Sequence, residues 1–205
     1  MHYATDFSTL QFRCARFHNI YGPQGTWCGG REKAPAAFCR KVLAAGYENS
    51  SHVVEMWGDG EQTRSFCLVD DCVEGILRIT RSTYVHPLNL GSDEMVSMND
   101  MHHMAVSFEN TQCALKHISG PEGVRGRNSD NTLIREILGW APSTKLIDGL
   151  RKTYFWIKQQ MQNEVANGGS IDEYSKSAVM KQTTNSLDTL GHVIHKHKTN
   201  GIAGQ

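Results

Sequence analysis

The chain has 205 residues, 39% of them hydrophobic and 20% charged, and its 21 basic and 21 acidic side chains give a formal net charge of zero. That balance suits a soluble globular protein of one domain or slightly more, and it gives no electrostatic case for nucleic acid or an anionic membrane surface. No apolar run approaches the ~20 residues that span a bilayer, and MHYATDFSTL lacks the basic start and apolar centre of a signal peptide.

In chain order, QFRCAR (11–16) alternates before the turn-rich HNIYGPQGTWCGG and predicts a strand emptying into a loop. EKAPAAFCRKVLAAG (32–46) predicts a helix, with Pro35 in the first turn where its missing N–H costs little. VVEMW (53–57) and SFCLV (65–69) predict strands on either side of a Gly-Asp-Gly turn. From Asp70, DDCVEGILRITRS spaces Val73, Ile76, Leu77 and Ile79 as one helical face, with acids first and Arg78 and Arg81 last, an order that suits the helix dipole.

PLNLG (87–91) predicts a short strand, and Ser97 with Asp100 three residues on predicts a capping-box start. ALKHI (114–118) is a further strand candidate, and GPEGVRGRNSD (120–130) is a glycine-rich basic loop. Ser129 or Asp130 is expected to cap TLIREILG, which Gly139 ends. After Pro142, Ile147, Leu150, Tyr154, Ile157 and Met161 recur at three and four, the mark of an amphipathic helix. Beyond Gly168 periodicity disappears, and an extended or disordered polar tail is expected. Short strands mixed with helices, without an internal repeat, give an α/β class.

Six cysteines (14, 28, 39, 67, 72 and 113) are scattered without a CxxC, which points to reduced thiols in a cytosolic, hence cytoplasmic, protein. Cys67 and Cys72 fall in apolar surroundings and read as buried structural thiols. His192, His195 and His197 cluster near the C-terminus, but no cysteine or carboxylate completes a four-ligand set, so no metal site is expected.

GDGEQTRSFCLVDD (58–71) carries the chemistry. One arginine, Arg64, stands at the mouth of a strand beside Gln62 and Thr63. Such an arginine can clamp an anion with two parallel hydrogen bonds, or it can be a surface residue after a hairpin. RFHNIYGP (16–23) adds a strand ending in Arg-Phe-x-Asn and running into Tyr-Gly-Pro. Both stretches resemble the extended short-chain dehydrogenase/reductase superfamily, the first at a substrate-domain strand and helix, the second at a late strand-to-loop junction. GTWCGGREKAPAAFCRK (25–41), EMWGDGEQTRSF, NLGSDEMVSMND (89–100), GPEGVRGRNSDN (120–131) and TYFWIK (153–158) narrow this to a resemblance to the GDP-mannose 3,5-epimerase family. It extends over residues 11–165.

That resemblance implies late Rossmann strands plus a small α/β substrate domain. Residues 1–24 would end a dinucleotide-binding domain, 25–167 would be mainly the nucleotide-sugar domain with a strand near 87–91 returning to the first, and 168–205 would be the tail. It implies that Arg64 pairs with the pyrophosphate of a GDP-sugar, with Gln62 and Thr63 beside it and Arg127 as a second cation. Asn19, Glu32, Lys33, Ala34 and Lys41 match substrate-contacting positions, and Ser177 in YSKS matches a tail serine that folds over the substrate.

The family converts GDP-mannose to GDP-L-galactose and to 3- or 5-epimers. A hydride passes from C4 to NAD, the ketone acidifies C3 and C5, and an acid/base pair exchanges protons before the hydride returns. Lys33 would be one member of that pair and a cysteine the other. The complete enzyme is implied to be a homodimer.

The sequence carries no G-x-G-x-x-G after a strand. G-x-x-G-x-x-G spacing occurs at Gly120, Gly123 and Gly126 after ALKHI, in a basic loop that does not itself open a helix, and the one Tyr-x-x-x-Lys spacing is Tyr154 with Lys158 in the amphipathic helix. The partner cysteine would precede this chain, and Cys28 does not match its position. The chain is therefore expected to be the C-terminal half of such an enzyme, keeping the GDP-sugar half-site and lacking turnover by itself. Two alternatives stand beside this: another nucleotide-sugar epimerase or dehydratase of the superfamily, or a non-catalytic partner subunit that pairs through an open sheet edge.

Overall fold

A computed structural model describes residues 2–7, 9–47, 52–120 and 123–175. In chain order its helices are α1 (His2–Asp6), α2 (Ala34–Ala45), α3 (Val69–Arg81), α4 (Met98–Ser107), α5 (Thr132–Leu138), α6 (Leu146–Ala166) and α7 (Asp172–Ser175). Its strands are β1 (Ala15–Phe17), β2 (Ile20–Tyr21), β3 (Val53–Trp57), β4 (Thr63–Arg64), β5 (Cys67–Leu68), β6 (Leu88–Leu90), β7 (Val96–Ser97), β8 (Ala114–Ile118) and β9 (Gly126–Arg127).

The strands pair mainly in parallel: β1 with β6, β2 with β5, and β3 with β8 along its whole length from Val53 opposite Ala114 to Trp57 opposite Ile118. A three-stranded sheet orders β7, β4 and β9, with β4 antiparallel to β7 and parallel to β9. Helix α2 lies between α4 and α6 over the larger core, where Cys39, Val42, Val54, Met101, Leu150, Tyr154 and Ile157 are fully buried. A smaller cluster of Cys67, Cys72, Ile79, Leu88, Leu90 and Ile134 lies beneath β1 and β6.

Several local expectations hold. Pro35 sits in the first turn of α2. At α4 both bonds of the capping box form: Asp100 N–H donates to Ser97 Oγ at 3.0 Å, and Ser97 N–H donates to Asp100 Oδ2 at 3.4 Å. Gly139 ends α5 in the left-handed region at φ 58°.

Others are corrected. Residues 11–14 are not strand, and β1 starts only at Ala15, where pairing to β6 begins. The strand expected over 65–69 shrinks to Cys67–Leu68, which pairs with β2; Val69 already opens α3, Ser65 and Phe66 step between the sheets, and Thr63–Arg64, ahead of the expected range, pairs with β7 and β9. Helix α5 has Asn131 as its N-cap, and Asp130 Oδ1 accepts from Thr132 N–H at 2.9 Å. The stretch expected to be extended includes the short helix α7, whose Tyr174 packs on Trp27.

The face of α3 is rotated from the expected one. It buries Cys72, Gly75 and Ile79, while Val73, Ile76 and Leu77 are 51%, 38% and 44% exposed. Gly75 is the reason: a Cβ there would lie 2.4 Å from Leu90 Cδ1 and 3.1 Å from the Trp140 ring, so its absence lets the helix settle on β6. On α6, Leu146 is buried in place of Ile147, which is 41% exposed.

Candidate functional site: a paired-arginine mouth

The site is built on β4. Gly58 and Gly60 adopt φ values of 75° and 77°, conformations that favour glycine, and turn the chain from β3 into β4. Asn99 pins this turn by donating from Nδ2 to the Asp59 carbonyl at 3.1 Å and to Glu61 Oε1 at 2.7 Å. Arg125 holds the glycine-rich loop against the same turn through two bonds to the Asp59 carboxylate, at 3.0 and 2.9 Å. That guanidinium holds the Asp59 carboxyl below the usual carboxylate range.

With the loop fixed, Thr63 N–H donates to Arg125 O at 2.9 Å and Ser65 N–H to Arg127 O at 3.2 Å. These bonds set Arg64 opposite Arg127 in a parallel register. Register partners on neighbouring strands project to the same face, so the two guanidinium groups share one side of the sheet. Arg64 is half-buried and donates from Nη1 to Thr63 O at 2.7 Å, with its Nη2 beneath Gly123. Arg127 is exposed and makes no ion pair among the described residues. Like charges on one face repel, and an anion between them relieves that repulsion.

Asn19 adjoins this strand. It adopts φ 45°, a conformation asparagine tolerates better than most residues. Its Nδ2 donates to Ser65 O at 3.0 Å, and its carbonyl accepts from Cys67 N–H at 3.1 Å. Lys33 is the exposed N-cap of α2, and Ala34 is that helix's half-buried first residue. Burial first, then the charges of Arg127 and Lys33, lower the His18 imidazole pKa from the ordinary histidine value. Asn19, Thr63, Arg64 and Arg127 are thus joined through β4 and β9.

Three of the expected residues are directed elsewhere. Glu32 turns inward to a buried ion pair with Arg40 at 2.8 Å. Lys41 faces β3 and donates from Nζ to Glu55 O at 2.8 Å, and burial lowers its pKa to about 8. Gln62 is buried and donates from Nε2 to Trp57 O at 3.1 Å. Ser177 lies outside the described residues.

Two further polar residues escaped the sequence reading. Among the described residues, His18 Nε2 and Ser65 Oγ are shut off from water without a hydrogen-bond partner, as is Gln62 Oε1. The available signal was a histidine inside RFHNIYGP and a serine directly after QTR.

Helices α3 and α4 both follow strands, but their N-caps are Leu68 and Ser97, and their first turns carry Asp70, Asp71 and Asp100. Those carboxylates repel a pyrophosphate at the helix N-terminus, where a glycine-rich turn would welcome it. Among the described residues no three His, Cys, Asp or Glu side chains form a metal-binding group, and no helix is long and apolar enough to cross a membrane.

Residues 1–91 match the model of the NAD dependent epimerase/dehydratase family. The chain is 60% identical to GDP-mannose 3,5-epimerase 1 of Oryza sativa subsp. indica over 87% of its own length and 46% of that protein's. It is 59% identical to GDP-mannose 3,5-epimerase of Arabidopsis thaliana with the same two coverages. The chain therefore spans about half the length of the curated relatives it matches. In fold it is similar to the UDP-glucose 4-epimerase of Thermotoga maritima, solved with UDP-glucose, at a TM-score of 0.69 and 24% identity over 78% of this chain and 50% of that one.

Proposed function

We propose that the chain is a member of the NAD dependent epimerase/dehydratase family, whose model matches residues 1–91, and that it carries the GDP-sugar half of a GDP-mannose 3,5-epimerase site. The observation behind this reading is the in-register pair of Arg64 and Arg127 on one face of the β4–β9 sheet. A diphosphate carries two negative charges and oxygens arranged for planar, forked donors, which guanidinium groups supply and ammonium groups do not. Asn19 fixes the strand step beside them, and Lys33 approaches from the start of α2.

In this arrangement the arginines bind and orient the diphosphate. The hexose lies toward Lys33, whose ammonium supplies a proton to a ring carbon next to C4. The oxidation that acidifies C3 and C5 takes NAD, whose main binding motif we place outside this chain. The isolated chain accordingly binds GDP-mannose without turning it over. A thermal melt with and without GDP-mannose, beside an Arg64→Ala control, tests the binding. A ligand-dependent rise in the wild-type chain alone is the expected result, and equal rises in both would overturn the clamp. Product formed by the purified chain with added NAD would overturn the inactivity.

A second reading has its own observation. Among the described residues β1 pairs only with β6, and its Arg16 and Phe17 are exposed, although parallel strands are normally covered on both faces. A partner subunit that supplies a neighbouring strand fits this edge, and the GDP-sugar half-site would then act within a complex. Co-purification of the chain with a full-length epimerase subunit, lost on Phe17→Lys, tests it.

A further inference from the structure

We propose that His117, on a strand outside the β4–β9 sheet, is a positioning residue for the arginine pair: by donating to Asn99 it fixes the turn that anchors the loop bearing Arg127. This rests on the nucleotide-sugar reading above and adds to it a residue that touches no ligand.

Three elements meet at Asn99. It is the second residue of α4, whose first N–H groups have no partner within the helix, and its N–H donates to Gly60 O at 3.1 Å. Its Nδ2 donates to Asp59 O at 3.1 Å and to Glu61 Oε1 at 2.7 Å. His117, exposed on β8, brings its Nε2 within 3.2 Å of Asn99 Oδ1. Its strand is tied to the same turn, since His117 lies opposite Met56 on β3 and Gly58 N–H donates to Ile118 O at 3.0 Å. The contact has no slack: a Cβ on Gly60 would lie 2.1 Å from Asn99 Oδ1 and 2.6 Å from Met56 Sδ.

Donors and acceptors leave the amide one orientation. Both Nδ2 bonds end on a carbonyl or a carboxylate, which only accept. Turned over, the amide would set its oxygen against those two oxygens. With Oδ1 facing His117 instead, the imidazole has to be the donor, so Nε2 carries the proton. His117 thereby completes the set of partners of the Asn99 side chain.

The turn passes this order on to the arginines. Glu61 N–H donates to Asp59 Oδ1 at 2.9 Å, so the aspartate is oriented by the segment that Asn99 grips. Asp59 then receives the Arg125 fork, and Arg125 O accepts Thr63 N–H, which sets Arg127 opposite Arg64. Strand β9 is only two residues, both exposed. The side chains of Arg125 and Asp59 are 63% and 53% exposed, where an ion pair adds little by itself. A strand held so lightly opens locally before the rest of the fold, and it keeps its register only while Asp59 stays in place. His117 and Asn99 hold it there.

The test is isothermal titration of GDP-mannose into the 205-residue chain, with urea melts to show that each variant is folded at the temperature used. His117→Leu is expected to weaken GDP-mannose about 2- to 10-fold, the worth of one neutral hydrogen bond. His117→Gln, which can still donate to Asn99, recovers most of that loss. On an Arg125→Ala background, which cuts the path to Arg127, His117→Leu changes affinity by less than about twofold. Unaltered affinity in His117→Leu overturns the proposal. So does a loss that multiplies in full on Arg125→Ala, and so does a glutamine variant no better than leucine, which would make the ring a packing group. Should His117→Leu not fold, Asn99→Asp takes its place in the same cycle, with the same expected loss and the same overturning results. A wild-type chain that fails to bind GDP-mannose overturns the nucleotide-sugar reading and the positioning role with it, whereas a wild type that binds beside unaltered variants overturns the positioning role alone.

Discussion

Glu32 precedes Lys33, yet its carboxylate points away from the mouth. Oε1 meets Arg40 Nη2 at 2.8 Å, Oε2 accepts Gly30 N–H at 2.7 Å, and the Glu32 and Arg40 side chains are only 5% and 3% exposed. Arg40 also donates from Nε to Trp27 O at 3.1 Å and from Nη1 to Tyr174 O, so the pair ties the loop before α2 to α2 and α7. Glu32→Ala would leave the guanidinium buried and without its carboxylate. Breaking a buried pair in this way costs about 3–5 kcal/mol. At roughly 2–4 °C per kcal/mol for a chain of this size, Tm falls by about 6–20 °C.

Glu32→Gln combined with Arg40→Met removes both buried charges, so the double variant loses less than the sum of the two single losses. Urea melts followed by circular dichroism, with GDP-mannose titrations alongside, measure this. If Glu32 acts through α2, stability and affinity fall together in Glu32→Ala, and both recover in part in the double variant. Loss of affinity with stability changed by less than about 1 kcal/mol would refute the inward role and make Glu32 a direct ligand contact.

Arg64→Ala and Arg127→Ala are each expected to weaken GDP-mannose about 10- to 150-fold, the worth of one charge-assisted hydrogen bond. Isothermal titration measures the losses, and Arg64→Lys restores only part because the charge returns without the fork. Lys41 has a folded pKa lowered to about 8 from 10.5, so between those values the unfolded chain binds the extra proton and this residue's contribution rises with pH. Wild type should therefore gain on Lys41→Met between pH 8 and 10.5 in parallel urea melts, and a flat difference would exclude the shift. Gly75→Ala should destabilise by about 1–3 kcal/mol despite a helix-propensity gain of about 1 kcal/mol, because the added Cβ meets Leu90 Cδ1 at 2.4 Å. Leu77→Glu on the exposed face should stay within about 0.5 kcal/mol by the same melts.

These outcomes bear on what the sequence could disclose. VVEMW and ALKHI announce themselves as strands, and Ser97 with Asp100 announces a cap, because each signal is local and the structure keeps it. The buried face of α3 departs from the apolar count, whereas on α6 only Ile147 does, since Leu150, Tyr154, Ile157 and Met161 are buried as expected. Counting apolar residues favours Val73, Ile76 and Ile147, whereas contact selects Gly75 and Leu146, whose shapes admit Leu90 and the larger core. The smallest residue on α3 thus decided its orientation, and no hydrophobic count registers a missing Cβ.

The site divides along the same line. Arg64 alone reads as either a clamp or a surface residue, and its meaning depends on Arg127, which only tertiary pairing brings beside it. The bonds from Thr63 and Ser65 N–H to the carbonyls of Arg125 and Arg127 fix that pairing. A slip of one residue would send Arg127 to the opposite face and separate the cations. The ion pair of Arg125 with Asp59 holds the loop in register. The two-arginine mouth is therefore set by backbone hydrogen bonds and one surface ion pair, neither of which a motif records.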